Sequence, residues 1–229
     1  MRLNKYIALS TSLSRRAADA AIAHGRVCIN TAVANIGSQV EPTDTVLLDG
    51  KKITPRHSAA TIMLHKPIGY VCSRNGQGSP TVFELLPPEY QHLQPVGRLD
   101  KDSSGLLLLT SDGDLAQQLT HPRYSKTKVY EITLDKPLQP LHQQMISDHG
   151  VMLEDGLSCF QVSREEATDK RYEITMHTGR NRQIRRTFAA LGYTVTTLHR
   201  THFGPYALNG LGVGETQLIK QNVGYKSKL

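Results

Sequence analysis

The sequence predicts an α+β fold in two parts: a small N-terminal α+β module, then a larger domain built on a mixed, mostly antiparallel sheet flanked by helices. Strand-like runs outnumber helix-like runs and do not alternate regularly with them, which argues against a doubly wound parallel sheet. Eight Lys or Arg but only four acidic residues lie in residues 1–60, so this part is the more cationic. We expect a module at 1–55, a Pro- and Ser-containing linker at 56–60 and a domain at 61–229.

The N-terminal module is predicted to hold two short helices and several short strands. Ser14 is a favourable N-cap for a helix over residues 15–24, and Gly25 suits the left-handed position that ends a helix. Asp49-Gly50 is typical of a tight turn between two strands. Strands are expected at residues 27–30, 33–36 and 45–48.

The larger domain is predicted to contain more strands than helices. Strands are expected at residues 61–65, 69–73, 106–110, 126–134, 171–177 and 195–202. Helices are expected at residues 114–120, 138–147 and 182–191. Asp112 precedes the first of these helices as its N-cap. In the last helix, Ile184, Phe188 and Leu191 form the buried stripe.

Composition and missing motifs exclude several functions. The net charge of +7 favours a polyanionic partner. Three dispersed cysteines exclude a disulfide framework and a thiolate zinc site. There is no run of about 18 apolar residues and no apolar leader, so we expect a cytoplasmic protein that does not enter a membrane. His199 and His202 would point to opposite faces of a strand, and no phosphate-binding glycine loop occurs, so neither a metal nor a cofactor is expected.

Two segments carry side chains that can take part in catalysis or in stacking on a base. Asp100 follows Arg98 and stands just before a run of four leucines. A carboxylate at the mouth of a core can act as a nucleophile or base, or simply cap a turn. Lys128 and Tyr130 share one face of a predicted strand. A tyrosine beside lysine can stack on a base or be half-buried in the core, and the residues alone leave both pairs of alternatives open.

Two arginine-rich clusters are candidates for contact with phosphate. In the helix over 182–191, Arg182 and Arg186 would lie opposite the buried stripe, toward solvent or RNA. Arg185 would lie at the border of the stripe and can reach inward to an acidic partner. The second cluster lies in the N-terminal module and comprises Arg2, Lys5, Arg15, Arg16 and Arg26. A solvated basic surface is the alternative for the N-terminal cluster. For the helix over 182–191, the alternative to an inward pairing of Arg185 is a surface helix whose arginines serve only for phosphate contact.

Five motifs follow one another along the chain in an order that points to a known family. They are K-P-x-G at 66–69, G-R-L-D-x-D-S-S-G-L-L-L-L at 97–109, K-x-Y at 128–130, G-R-N-R-Q-I-R-R at 179–186 and L-H-R at 198–200. In order and spacing they resemble the RsuA/RluB/RluF family of bacterial ribosomal RNA pseudouridine synthases. The N-terminal residues resemble the small RNA-binding module first described in ribosomal protein S-four.

The resemblance implies an activity and three catalytic residues. The protein would isomerise uridine to pseudouridine in ribosomal RNA without a cofactor, with Asp100 as the nucleophile. Arg185 matches the arginine that pairs with this aspartate in the family. Tyr130 matches the tyrosine that packs against the target base and assists the final removal of the C5 proton. Asp102, two residues beyond the nucleophile, is expected to cap a turn instead.

The resemblance also implies residues that contact the substrate. Arg98 would help to fill the gap left when the target uridine is flipped out of the RNA. The remaining expected contacts are two apolar wall residues and three basic residues, Ile184, Leu198, Lys128, Arg180 and Arg182.

The choice of substrate is less constrained. The segments at 70–75, 80–83 and 179–182 are closer to the large-subunit (23S) branch of the family than to the 16S branch, and the substrate can be a pre-ribosomal particle. A monomer is expected because no apolar stripe remains beyond those that the core needs. Two alternatives stay open: a non-catalytic RNA-binding protein of ribosome assembly, and an RNA glycosidase that uses Asp100 with water.

Overall fold

A computed structural model describes residues 1–11, 13–55, 60–164 and 169–219. The chain divides into two compact units, Met1–Ala60 and Thr61–Leu229. Most of the predicted linker, residues 56–59, and the last ten residues, 220–229, lie outside the described residues. In the part of the chain that the structure describes, no helix has the length and apolar character needed to cross a bilayer.

The N-terminal unit packs two helices against a small antiparallel sheet of order β2-β1-β3-β4. Its elements are α1 (Leu3–Ser10), α2 (Arg15–Ala23), β1 (Val27–Ile29), β2 (Ala32–Val33), β3 (Val46–Leu48) and β4 (Lys51–Ile53). The Ser14 hydroxyl accepts a hydrogen bond from the amide of Ala17 at 3.1 Å, which confirms the predicted N-cap. Asp49 and Gly50 have φ angles of 51° and 75° and form the tight turn expected between β3 and β4.

Local hydrogen bonds explain why β2 is shorter than the strand predicted over 33–36. The amide of Ala34 still donates to the carbonyl oxygen of Val27, but the chain then turns, and the amide of Ser38 donates to the carbonyl oxygen of Asn35. The strand therefore ends at Val33 and is exposed, while the core of the unit lies between the helices and β1 and β3.

The second unit is built on a nine-stranded sheet whose main order is β11-β12-β8-β13-β7-β5-β15, with β14 paired to β13 and β6 to β7. Its strands are β5 (Thr61–Lys66), β6 (Gln94–Pro95), β7 (Ser104–Thr110), β8 (Lys128–Leu134), β11 (Gln161–Arg164), β12 (Arg171–Met176), β13 (Val195–Phe203), β14 (Tyr206–Ala207) and β15 (Thr216–Leu218). A separate hairpin comprises β9 (Val151–Leu153) and β10 (Gly156–Ser158). The helices are α3 (Gly113–Thr120), α4 (Pro140–Gln144) and α5 (Gln183–Ala190). Only β7 and β13 pair in parallel, so the expected mixed, mostly antiparallel sheet of an α+β fold is confirmed within the described residues.

Several predicted elements differ in their bounds. The strand expected over 69–73 is wrong, because the chain turns at Gly69, with φ 96°, and only Val71 makes a bridge, to Thr81. The helix expected over 138–147 ends as an α-helix at Gln144 and continues as a wider π-turn, Met145–His149.

The capping prediction for α3 is confirmed. The carboxylate of Asp112 accepts hydrogen bonds from the amides of Asp114 at 2.9 Å and Leu115 at 3.3 Å. These bonds satisfy two of the free amide groups at the helix start, which is why the helix begins at Gly113.

The central strand β7 is fully buried through its four leucines, residues 106–109. It enters the sheet at Gly105, which has φ 108° and lies opposite Arg200 of β13. A Cβ atom at Gly105 would lie only 2.2 Å from the carbonyl oxygen of Arg200, so this close approach requires glycine. Ser104 and Gly105, the first two residues of β7, are thereby paired closely with His199 and Arg200 of β13.

Candidate active site

A short loop with two carboxylates, residues 100–103, leads from Leu99 into β7; we call it the acidic loop. The amide of Ser103 donates to the carbonyl oxygen of Asp100 at 3.1 Å and closes the loop as a turn. The side chains of Asp100 and Asp102 are 33% and 46% exposed. Both carboxylates therefore sit on a closed turn and remain accessible from solvent.

Two arginines from the start of α5 contact these carboxylates. Arg182 bridges them: its Nη1 lies 3.4 Å from Asp100 Oδ2, and its two terminal nitrogens donate to the carboxylate of Asp102 at 3.1 Å each. Arg185 donates through Nη1 to the carbonyl oxygen of Val195 at 2.6 Å and through Nη2 to that of Asp102 at 2.9 Å. Its Nε lies 3.2 Å from Asp102 Oδ2, close enough for an ion pair but not aligned as a hydrogen bond.

These contacts correct three expectations. Arg185 pairs with Asp102 and not with Asp100, because two main-chain carbonyls orient its guanidinium. Asp102 serves as an ion-pair partner and does not cap the turn. Arg182 does not belong to the helix: its φ and ψ of 45° and 33° are left-handed, so α5 begins at Gln183 and Arg182 turns toward the acidic loop instead of away from the core.

The charges of this cluster shift the pKa values of its members. Burial alone would raise the pKa of Asp102, but the hydrogen bond from Arg182 and the charge of Arg185 more than offset it and leave the pKa below its ordinary value. The hydrogen bond to Asp102 raises the pKa of Arg182. Burial lowers the pKa of Arg185, which is the less exposed of the two arginines. Asp102 is therefore ionised at neutral pH and balances part of the charge of both arginines.

A cavity of about 110 Å³ opens beside Asp100. Its apolar wall includes Tyr130, Ile184 and Leu198, each at most 8% exposed. The full set of lining residues is Arg98, Leu99, Asp100, Ser103, Tyr130, Met176, Gly179, Arg180, Asn181, Arg182, Gln183, Ile184 and Leu198. The structure thus brings most of the predicted catalytic and substrate-contacting residues to one cavity, whereas Arg185 and Lys128 lie outside its lining.

The sheet register explains why Tyr130 and Leu198 meet. Tyr130 of β8 lies directly opposite Arg200 of β13, and Leu198 lies two residues along, on the same face. Ile184 approaches from α5, where it is 4% exposed. A carboxylate, a tyrosine and a dry apolar surface therefore border one small space.

Lys128 binds main-chain atoms next to the lining of the cavity. Its ammonium lies 3.3 Å from the carbonyl oxygens of Lys126 and Thr178, just before Gly179 of the lining. Burial, and then the nearby charge of Arg200, lower the pKa of Lys128. The side chain is half-buried, holds main-chain atoms next to the cavity lining and does not itself line the cavity.

Arg180 and Arg186 hold the hairpin of β9 and β10 and do not point freely into solvent. Arg180 donates to the carbonyl oxygens of Asp155 at 2.7 Å, Gly156 at 2.9 Å and Leu157 at 2.9 Å. Arg186 binds the carboxylate of Asp155 through two hydrogen bonds of 3.1 and 2.7 Å. The Arg186 side chain is 32% exposed, in agreement with the expected outward direction, but Asp155 occupies its guanidinium. Arg180 lines the cavity but already uses both terminal nitrogens.

The sequence analysis missed the contribution of Gln183. This side chain is 3% exposed and accepts hydrogen bonds from the hydroxyl of Thr178 and the amide of Arg180, while it donates to the hydroxyl of Ser158. Helical periodicity gives no indication of this role, because the partners Thr178, Arg180 and Ser158 all lie outside α5.

A second cavity, separate from the one beside Asp100, lies on the opposite face of β13. His199 and His202 both line it, although an ideal strand would place them on opposite faces. A bulge between Arg200 and His202 shifts the register and brings them to one side. Among the described residues, no group of three or more His, Cys, Asp or Glu side chains is arranged to hold a metal ion.

Comparison with known proteins gives two family matches. Residues 60–190 match the family model of RNA pseudouridylate synthases, and residues 1–46 match that of the S4 domain. A crystal structure of a pseudouridylate synthase superposes with a TM-score of 0.68 and 30% sequence identity, and the match covers 96% of each chain.

Curated relatives match along nearly the whole chain. An uncharacterized RNA pseudouridine synthase from Aquifex aeolicus is 35% identical over 228 residues, which cover 96% of this chain and 91% of the relative. The ribosomal large subunit pseudouridine synthase B of Bacillus subtilis is 34% identical, with coverage of 94% and 91%. The ribosomal small subunit pseudouridine synthase A of Pasteurella multocida is 34% identical, with coverage of 91% of both chains.

Proposed function

Because this chain belongs to the RNA pseudouridylate synthase family, we propose that it converts specific uridines of ribosomal RNA to pseudouridine, with Asp100 as the nucleophile. The observation that carries the proposal is the position of Asp100 at a cavity that Tyr130 also lines. Relatives named for the large and the small ribosomal subunit support ribosomal RNA as the substrate. We favour 23S RNA, on the resemblance of the segments at 70–75 and 80–83 to the large-subunit branch.

The reaction is an isomerisation, so the product contains the same atoms as the substrate. The bond from C1′ of the ribose to N1 of the base breaks, the base turns, a bond from C1′ to C5 forms, and the proton on C5 moves to N1. The carboxylate of Asp100 would form a bond to C1′ as the bond to N1 breaks, and that bond would break again when C5 bonds to C1′, so that Asp100 is regenerated. No oxidant, reductant or group donor enters this balance.

The apolar wall suits a detached base. Tyr130, Ile184 and Leu198 are nearly buried, so a uracil that has left the ribose would be enclosed by side chains instead of water. This enclosure favours rejoining through C5 over hydrolysis, which a glycosidase would catalyse. Tyr130 would face the base and assist removal of the C5 proton. Exposed Arg98 lies at the rim of the cavity, where it can fill the space left by the flipped uridine.

The N-terminal unit would supply much of the RNA affinity through Arg2, Lys5, Arg15, Arg16 and Arg26. Arg15 and Arg16 are exposed at the start of α2, whereas Arg26 is bound by both carboxylate oxygens of Asp49. The match of residues 1–46 to the S4 domain supports this assignment.

Replacing Arg15 and Arg16 together with alanine is expected to weaken RNA binding without slowing the chemical step. Two lost phosphate contacts reduce the slope of log binding constant against log salt by between about 1.4 and 1.8. The single-turnover rate at saturating enzyme is expected to stay within about twofold of wild type, because only ground-state binding is lost. Filter binding across a salt series and single-turnover assays measure the two effects.

Arg26→Ala is the matched control for that pair, since Asp49 already balances the charge of Arg26. We expect a smaller change in the salt slope than for either arginine of α2. An unchanged slope in the double variant would contradict the assignment of Arg15 and Arg16 as phosphate contacts. An equal loss in Arg26→Ala would mean that the ion pair with Asp49 does not keep Arg26 from binding RNA.

Mapping of pseudouridine in ribosomal RNA tests the proposed function directly. Bacterial 23S and 16S RNA, free and in assembly intermediates, would be incubated with wild type and with Asp100→Asn. One new pseudouridine in 23S RNA that is missing with Asp100→Asn supports the proposal, whereas a site in 16S RNA overturns the preference for 23S. No new site in any of these RNAs would favour a non-catalytic RNA-binding protein, and abasic sites would favour a glycosidase.

A further inference from the structure

The hydroxyl of Ser103, the last residue of the acidic loop, belongs to a buried side chain that lines the cavity beside Asp100. Ser103 is only 1% exposed, and among the residues that the structure describes its Oγ has no hydrogen-bond partner. Most buried hydroxyls in proteins are hydrogen-bonded, and a buried one without a partner costs free energy. A hydroxyl of this kind in the wall of a substrate cavity is therefore a candidate contact for the substrate.

The main chain of Ser103 is bound on both sides. Its amide donates to the carbonyl oxygen of Asp100 at 3.1 Å, and its carbonyl oxygen accepts from the ammonium of Lys66 at 2.7 Å. Lys66 is fully buried and also donates to the carbonyl oxygens of Pro67 at 2.9 Å and Asp100 at 3.1 Å. The side-chain oxygen is therefore the polar atom of Ser103 that remains for a ligand.

Three other polar side chains of the lining are bound by protein groups. The amide group of Gln183 is used both as a donor and as an acceptor. Both terminal nitrogens of Arg180 bind carbonyl oxygens of the hairpin of β9 and β10. Those of Arg182 bind the carboxylates of the acidic loop. Ser103 differs from these three, because its side chain is buried in the lining without such a bond.

A detached uracil presents acceptors that a hydroxyl can serve. When the bond from C1′ to N1 breaks, the base keeps the electron pair, and its negative charge spreads over N1, O2 and O4. Exchange of N1 for C5 is a half-turn of the ring about the axis through N3 and C6, and this half-turn brings O4 to the position of O2. One fixed donor thus meets a carbonyl oxygen before and after the base turns. Hydrogen bonds to charged acceptors are about twice as strong as neutral ones, so the bond is strongest while the base is detached.

We propose that the hydroxyl of Ser103 donates a hydrogen bond to a carbonyl oxygen of the target uracil and stabilises the base while it is detached from the ribose. Ser103 and Asp100 are the two ends of one hydrogen-bonded turn, whose Cα atoms lie within about 7 Å, so one nucleotide can contact both side chains. The hydroxyl proton stays on Ser103, so the balance of the isomerisation is unchanged. This inference rests on the proposed function, the conversion of uridine to pseudouridine.

Ser103→Ala removes this donor. We expect the single-turnover rate at saturating enzyme to fall by about 10- to 100-fold, since one hydrogen bond to a charged group is lost. The dissociation constant for RNA should stay within about threefold, because the bond is strongest after the base detaches. Ser103→Thr keeps the hydroxyl and should recover most of the rate. Ser104→Ala is the matched control: the Ser104 hydroxyl shares a hydrogen bond with Nδ1 of His199 at 2.9 Å and does not line the cavity, so the rate should stay within about threefold.

Three outcomes of these assays overturn the proposal. They are a Ser103→Ala rate within about twofold of wild type, an equal loss in Ser104→Ala, and a folded Ser103→Thr protein that is no faster than Ser103→Ala. If circular dichroism shows that Ser103→Ala does not fold, Ser103→Cys takes its place. A thiol has nearly the same shape but is a weak donor, so a loss of at least about fivefold is expected, and a rate within about twofold of wild type again rejects the role of Ser103.

A crystal structure of Asp100→Asn with an RNA that spans the mapped site identifies the group that Ser103 contacts. Ser103 Oγ within about 3.2 Å of O2 or O4 of the uracil supports the proposal, whereas a bond to O2′ of the ribose, or no bond to the nucleotide, overturns it.

The same assays separate this inference from the proposed function. A wild-type protein that forms no pseudouridine rejects both. Pseudouridine that is formed equally by wild type and Ser103→Ala, and is lost in Asp100→Asn, rejects the role of Ser103 alone.

Discussion

Asp100→Asn is expected to lower the single-turnover rate by more than about 10⁴-fold, the scale on which loss of a nucleophile acts in other enzymes. Asparagine has nearly the same shape and keeps one acceptor oxygen for Arg182, so the acidic loop should retain its geometry. Asp102→Asn is the matched comparison, two residues away in the same loop. It weakens ion pairs of a half-exposed carboxylate, which are worth about 1 kcal/mol, and we expect a rate loss of roughly fivefold.

The measurement is pseudouridine formed in a single turnover from a short RNA that spans the mapped site. Both variants should bind this RNA within about threefold of wild type, because neither replacement removes a cation. If Asp102→Asn were the inert variant and Asp100→Asn retained activity, the roles of the two carboxylates would be reversed, and the contacts of Arg185 with Asp102 would become the catalytic pair.

Arg185→Met is expected to lower the single-turnover rate by about 10²- to 10³-fold and to destabilise the fold. Arg185 is 12% exposed and serves three acceptors: the carbonyl oxygens of Val195 and Asp102, and the carboxylate of Asp102. Each buried acceptor left without a donor costs about 1–3 kcal/mol. Part of this loss appears in stability and part in the position of the acidic loop.

A comparison of Arg182→Met with Arg185→Met shows which of the two arginines supports the function of Asp100. The side chain of Arg182 is 44% exposed, and the residue has a left-handed backbone conformation. Removing this side chain should therefore leave the melting temperature nearly unchanged. Since Arg182 lies nearest the carboxylate of Asp100, its loss should still slow the reaction, by about tenfold. Thermal melting and single-turnover rates of both variants separate the effect on stability from the effect on the reaction. A stable Arg185→Met protein with a wild-type rate would contradict the bracing role of Arg185.

Local features of the fold were predictable because neighbours in sequence determine them. The caps at Ser14 and Asp112 depend on a side-chain oxygen that reaches an amide two or three residues away. The turn at Asp49-Gly50 needs only two residues that tolerate positive φ. Asp100 and Tyr130 were identified in a different way, through short motifs that resemble those of a known family; Asp100 precedes β7 and Tyr130 lies within β8.

The details of the site were not predictable, because distant residues decide them. Helical periodicity assigned Arg182 to α5. In the structure Arg182 has a left-handed backbone, precedes the helix and contacts the acidic loop. The alternation of side chains along a strand predicted that His199 and His202 lie on opposite faces, whereas a bulge brings them to the same face. Burial of Lys66 depends on three carbonyls, two of them more than thirty residues away along the chain. Periodicity carries no information about such long-range partners.

The close approach at Gly105 limits how this enzyme can evolve. Any side chain at this position would push β7 away from Arg200 and would shift the acidic loop that precedes it. Gly105 does not line the cavity, yet a side chain there would collide with the main chain of Arg200. Sequence drift around the nucleophile is therefore restricted by backbone packing as well as by the reaction. A lineage that abandoned catalysis and kept only RNA binding would be free to replace Asp100 long before it could replace Gly105.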